Sequence, residues 1–432
     1  MRGLRIGMAV FAAALALVGL SSTAYAFHAG GVAECAGCHN MHEASGDNLL
    51  DGSTASATCL ACHQGTGSYH VATPSPETPG LPMANLTPGG DFGWLKKDYT
   101  WSPGWGSITE DGERHGHNIV ANGLDGDGVA FDYVADSTNT AAPGGTYLNT
   151  DMSCASCHDP HGQNRRLPDG TIDTTGAPIA ASGSYPDPVE NEPTATTAVG
   201  VYRLLAGDGY STNGVTYEGV PVAKVPSSYN RSEFANQTRT VYGYANPANV
   251  ATTKQTSWSK WCGTCHANFH QDGYTVGSTF KHPTDSGLGT TVQTNYGQYI
   301  GSGDLTGSLG TSFLSLVPYV ENSDAYATLA TKALTDDTNL SGPSDTDRIG
   351  CLTCHRAHAS GWEYALRWDY EIELIVLDGV WPGTDSTSPV ASEAKWAKGR
   401  TVAERESAYN DYDAAKFATY QRSLCNKCHA KD

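Results

Sequence analysis

Six runs of the form Cys-x-x-Cys-His recur along this 432-residue chain. They are Cys35, Cys38 and His39; Cys59, Cys62 and His63; Cys154, Cys157 and His158; Cys262, Cys265 and His266; Cys351, Cys354 and His355; and Cys425, Cys428 and His429. Two thiols at this spacing reach one edge of a porphyrin and form thioether bonds to its vinyl groups. The adjacent histidine then falls beneath the iron as an axial ligand. Cys-x-x-Cys alone also marks zinc sites and redox pairs. An even cysteine count in an exported chain first suggests disulfides. Here all 12 cysteines lie in the six runs, each run carries its histidine, and none is left over. The expected cofactors are therefore six covalently attached haem c groups.

The second axial ligand separates chemistry from transport. An open iron binds substrate, whereas two axial side chains close it. Of 15 histidines, six stand in the motifs and nine are spare. Six closed irons need six of those nine. Methionine is a poor alternative, because only Met41, Met83 and Met152 lie beyond residue 26. Two histidines per iron imply a low potential, since a Met/His pair raises it. His42, His161 and His358 each stand three residues after a motif histidine. A histidine that close cannot easily reach the far face of its own haem, so it points to a neighbouring iron. His70 in Ser-Tyr-His suits the second motif, and His270 follows His266 by one helical turn. His117, His282 and His28 complete the eight candidates, two of them surplus. His115, beside Arg114 and two residues from His117, is not taken as a ligand.

No enzyme constellation competes with this reading. There is no Cys-x-x-Cys-Lys run, no Ser/His/Asp grouping and no phosphate loop. The 22 tyrosines and 9 tryptophans are expected to pack on haem faces rather than relay electrons. Asp125-Gly-Asp127-Gly128 lacks the spacing and closing glutamate of a calcium loop and reads as a solvated turn.

The elements that must position these groups are sparse. The first cysteines of successive motifs are 24, 95, 108, 89 and 74 residues apart, a repeat of motifs and not of whole modules. Gly (49) and Pro (21) are plentiful, and residues 73–90 and 170–193 show neither helical nor strand periodicity. The expected fold is a multihaem cytochrome c: mostly loops, with short helices and few short strands, wrapped around a linear chain of six haems. Residues 364–377 alternate as a strand with Trp368, Tyr370, Ile372 and Leu374 on one side. Residues 325–334 and 392–424 contain helix-forming stretches, and a short helical turn is expected after each motif.

A basic start, an apolar run and Ala24-Tyr25-Ala26 mark residues 1–26 as a secretory signal peptide, leaving residues 27–432 as a single exported domain with no membrane span. Losing Arg2 and Arg5 takes the formal charge from −19 to −21. That balance argues against nucleic acid and anionic membrane partners.

Several stretches resemble the outer-surface hexahaem c-type cytochrome S family of metal-reducing bacteria. They are Phe27-His-Ala-Gly-Gly-Val-Ala-Glu-Cys35 with His39-Asn-Met-His42, and Thr87-Pro-Gly-Gly-Asp-Phe-Gly-Trp94. Further on come Cys154-Ala-Ser-Cys-His-Asp-Pro-His-Gly162, Cys351-Leu-Thr-Cys-His-Arg-Ala-His-Ala-Ser-Gly361 and the C-terminal Leu424-Cys-Asn-Lys-Cys-His-Ala-Lys-Asp432. The resemblance implies a chain of stacked and T-shaped haem pairs, all held by two histidines. It also implies subunits that polymerise into an extracellular filament, with His42 completing the fifth haem (Cys351, Cys354, His355) of the adjacent subunit. Electrons would leave to Fe(III) oxides, electrodes or other cells. The residues alone leave a monomeric periplasmic or surface shuttle open as the alternative.

Overall fold

The computed structural model describes residues 35–65, 70–73, 87–124, 130–184, 192–227, 238–249, 254–269, 282–299, 307–334, 338–383, 394–410 and 412–429. The leader, His28, His270 and the Asp125/Asp127 turn lie outside them.

Among the described residues, loops dominate. The longer helices are Ala55–His63, Trp258–Gly263, Gly289–Gln298 and Val402–Ala408. All are below the roughly 12–15 residues at which an isolated helix becomes marginally stable in water, so packing must hold them. Thr401 caps the last: its hydroxyl accepts from the Glu404 N–H at 3.3 Å, and the Glu404 carboxylate accepts from the Thr401 N–H at 2.8 Å. Strands are two to four residues long and form small sheets. The largest orders Ile172–Asp173, Arg165–Arg166, Ala198–Gly200 and Ile179–Ala181. Helix appears at Tyr326–Ala330, Ala394–Ala397 and Val402–Ala408, inside the expected stretches. No helix among the described residues is long and apolar enough to cross a membrane.

Two expectations are corrected. The helical turn lies on the motif and not after it. Cys154–Cys157 and Cys351–Cys354 are helical, while His158 and His355 are already extended (φ −113° and −107°). The alternating strand over residues 364–377 also fails until its last turn, Leu374–Leu377, which pairs antiparallel with Tyr420–Arg422. Asp369 is 2% exposed and Tyr370 41% exposed, the reverse of the expected faces. The cause is electrostatic: buried Lys398 and Arg405 draw the Asp369 carboxylate inward at 2.8 and 3.4 Å. A charge taken from water must meet its partner, and that requirement outweighs periodicity.

One hydrophobic cluster joins residues as distant as Ala57 and Leu424. Aromatic rings supply much of it. Trp381 stacks on Tyr409 at 3.9 Å between centroids, and Trp362 lies 4.8 Å from the same ring. Arg405 sits over Trp362 at 4.7 Å.

Candidate haem sites

The first, third and fifth motifs share one local fold. Some residues after each motif the chain enters a left-handed turn. Its first residue is Asn48 (φ 58°, ψ 30°), Arg203 (52°, 36°) or Tyr364 (60°, 26°). Its second is Leu49 (φ 61°), Leu204 (52°) or Ala365 (55°). The carbonyl of the first residue accepts a hydrogen bond from Nδ1 of the motif histidine: His39 to Asn48 at 3.0 Å, His158 to Arg203 at 2.9 Å, His355 to Tyr364 at 2.7 Å. The carbonyl of the second accepts from the N–H that follows the histidine, on Asn40, Asp159 and Arg356, at 2.8, 2.8 and 2.7 Å. Leu50, Leu205 and Leu366 then bridge the same three histidines. His266, in the fourth motif, donates Nδ1–H to the Pro143 carbonyl at 2.8 Å. A carbonyl can only accept, so Nδ1 carries the proton and Nε2 keeps the lone pair that binds a metal.

Four motif histidines each face a spare one. Ring centroids are 6.3 Å apart for His39 and His161, 6.4 Å for His158 and His358, 6.0 Å for His266 and His117, and 6.4 Å for His429 and His282. An imidazole nitrogen binds a first-row metal at about 2 Å, so two rings on opposite sides of one ion have centroids about 6 Å apart. The residues present therefore fit a metal held between paired imidazoles. Burial first, then the His266 ring, pulls His117 down to about 4. Burial first, then His158, pulls His358 to about 3. Both rings are neutral at neutral pH, as a ligating imidazole must be.

Each spare histidine is placed by recognisable means. Asn40 and Asp159 accept the N–H groups of His42 (3.1 Å) and His161 (3.0 Å), an Asx turn that swings the third residue away from its own motif. His358 is held by residues 87–94. Phe92 stacks on it at 4.7 Å, and its N–H reaches the Gly89 carbonyl at 2.8 Å. A Cβ at Gly89 would lie 2.8 Å from His358 Nδ1, so this backbone needs glycine to approach the ring. His70 is fully buried beside the second motif, where the Val71 N–H meets the His63 carbonyl at 2.8 Å. His42 is exposed, and so is His355, which faces no second histidine ring among the described residues. His115 is fully buried with Nδ1 2.8 Å from the Ser360 carbonyl and Nε2 2.8 Å from Glu110. Both nitrogens thus face protein oxygens.

The motifs follow one another in space in sequence order. The Cys59 thiol is pushed well up by its hydrogen bond with Cys154, and Cys262 by its hydrogen bond with Cys351. Burial and then Cys265 raise Cys157 to about 12. Burial and then Cys428 raise Cys354 to about 12, and burial and then Cys62 raise Cys38. Cysteines of each motif thus lie near those of the next from the first to the sixth, with hydrogen bonds joining the second to the third and the fourth to the fifth. The left-handed turns, and the role of Gly89 and Phe92, were not legible beforehand. Leu, Arg, Tyr and Ala carry no left-handed signal, and only Asn48 has the residue type that tolerates it.

Residues 28–68 match the family model for the doubled CXXCH motif. The chain is 43% identical to the C-type cytochrome OmcS of Geobacter sulfurreducens, across the whole of both proteins. Among solved structures it resembles the cryo-EM structure of the OmcS nanowires from the same organism, with a TM-score of 0.78 and 42% identity over 94% of this chain and all of that one. It is equally close, at a TM-score of 0.78 and 43% identity over the same shares, to the outer membrane cytochrome S filament of Geobacter sulfurreducens.

Proposed function

Because the chain belongs to the family of the c-type cytochrome OmcS, we propose that it is an extracellular electron-transfer protein that holds six haem c groups and assembles into a filament. The observation that carries this reading is the four imidazole pairs at 6.0–6.4 Å, each joining a motif histidine to a spare one. Bound haem supplies one-electron exchange between Fe(III) and Fe(II). The chain's own task is to anchor, close and space the six sites. Cysteines of each motif form the two thioethers. His39 pairs with His161, His158 with His358, His266 with His117 and His429 with His282. His63 takes His70, which the adjacent backbone brings beside it. The contacts between successive motifs support a continuous path through the subunit.

His355 and His42 remain, both exposed. His42 of one subunit completes the fifth site of the next. Such a contact uses different surfaces on the two partners, so it propagates into an open chain instead of closing a dimer. His28 and His270 are the two surplus histidines. Residues 1–26 direct export and are removed, and the haem-cored unit begins at Phe27. With every iron closed by two histidines, the protein conducts electrons to acceptors such as Fe(III) oxides, electrodes or other cells and is no enzyme. Cryo-electron microscopy of the extracellular fraction, with EPR on the same sample, tests this reading. Filaments with low-spin haem only are expected. A major five-coordinate, high-spin component in assembled protein would overturn it.

A further inference from the structure

The three left-handed turns have a feature that packing does not explain. Non-glycine residues adopt positive φ in only a few per cent of cases, at an energetic cost, and such strain gathers at functional positions. Twelve such residues occur among the described part of the chain, and six are Asn48, Leu49, Arg203, Leu204, Tyr364 and Ala365. The turns share no residue type at their first position. Even so, their backbone angles agree within ten degrees. Leu49 is 50% exposed, so no buried side chain forces its conformation. What the turns share is the target of two successive carbonyls. One accepts Nδ1–H of the motif histidine, and the next accepts the N–H of the residue after it.

We infer that Leu49, Leu204 and Ala365 are positioning residues, whose left-handed backbone aims the preceding carbonyl at Nδ1 of His39, His158 and His355 to fix ring rotation and lower the reduction potential of those sites. This inference rests on the haem reading above. A hydrogen bond from Nδ1 increases the basicity of the opposite nitrogen. A stronger donor favours Fe(III), so losing the bond raises the potential. The motif repeat is thereby a repeat of structure in the first, third and fifth positions. His429 makes no such ring-to-carbonyl bond among the described residues, although its backbone N–H is held by Cys425 at 3.1 Å.

Leu49 offers a clean test because its side chain is half exposed. Isoleucine is β-branched and resists positive φ, whereas glycine accepts it freely. Full-length, haem-loaded Leu49→Ile and Leu49→Gly are compared with wild type by redox titration followed by visible absorption and EPR. About one-sixth of the haem absorbance change should move to higher potential in Leu49→Ile, while Leu49→Gly stays at the wild-type position. Leu204→Ile, at a buried site within the subunit, should move a different sixth. Unchanged titrations in both isoleucine variants would overturn the inference. So would equal shifts in Leu49→Ile and Leu49→Gly, which would make the effect one of side-chain contact. A wild-type protein without bound haem would instead overturn the proposed function itself, and a pyridine haemochrome assay separates that case.

Discussion

The segments after the first and fifth motifs are built alike and end differently. Each carries a histidine three residues on, a left-handed turn, and a leucine that bridges back to the motif histidine. In the first, His39 faces His161 within the chain, while His42 is exposed. In the fifth the fates are exchanged. His358 faces His158 beneath Phe92, and His355 is left exposed without a facing histidine among the described residues. The His-x-x-His spacing sends the second ring away from its own motif. Whether that ring is used inside the chain depends on what packs above it. The fifth segment lies against residues 87–94, through His358 to Gly89, Asp91 to Ala359 and Arg356 to Pro88.

That contrast can be broken most severely at the charges. Asp369→Ala takes the carboxylate from buried Arg405, while Lys398 keeps Glu371 at 2.8 Å, and should cost about 3 kcal/mol in denaturant unfolding. A loss under 1 kcal/mol would mean that these side chains reach water. Next comes His358→Ala, which removes a half-buried ring stacked on Phe92. It should cost about 3 kcal/mol and expose one high-spin haem by EPR, and unchanged spectra would remove His358 from the ligand set.

Acid should weaken the fifth segment's surroundings selectively. Burial pushes the Glu110 carboxyl up, but its hydrogen bond with His115 and the charge of Arg400 bring it down to about 2. The folded value lies below an unfolded one of about 4.3, so the stabilisation is complete above that pH and fades as pH falls toward 2. It amounts to at most about 3 kcal/mol. Glu110→Gln should flatten the acid limb of the stability curve, and an unaltered limb would contradict the assignment.

The smallest cost to the fold belongs to the first segment. His42→Ala removes an exposed ring and should change subunit stability by under about 0.5 kcal/mol. Its effect should fall on assembly. Filaments disappear, and the fifth haem becomes high-spin while the others stay low-spin. Normal filaments from His42→Ala, seen by electron microscopy, would remove the ligand in trans and reduce the difference between the two segments to a matter of burial.

The sites were more legible than the fold. Six motifs that consume every cysteine leave little freedom about the cofactor, because the spacing is itself the covalent chemistry. Supply of histidine over demand made closed irons the expectation, and four motif histidines do face a spare one among the described residues. Short loop-joined elements also followed from Gly and Pro content. The strand expected over residues 364–377 failed because periodicity cannot see that Asp369 has partners almost thirty or more residues away, at Lys398 and Arg405.

The amino-acid order by itself determined what is local and covalent: thioether spacing, the histidine adjacent to each cysteine pair, and in three motifs a second histidine three residues further on. Tertiary structure decided the pairings. His117 meets His266, and His161 meets His39, across more than a hundred residues of chain. No spacing rule reaches that far, since loops of this length close in many ways at nearly equal entropic cost. The left-handed turns belong to the same class. Leu49, Leu204 and Ala365 have no intrinsic preference for positive φ, and only the motif histidines, once folded beside them, give that conformation its hydrogen bonds.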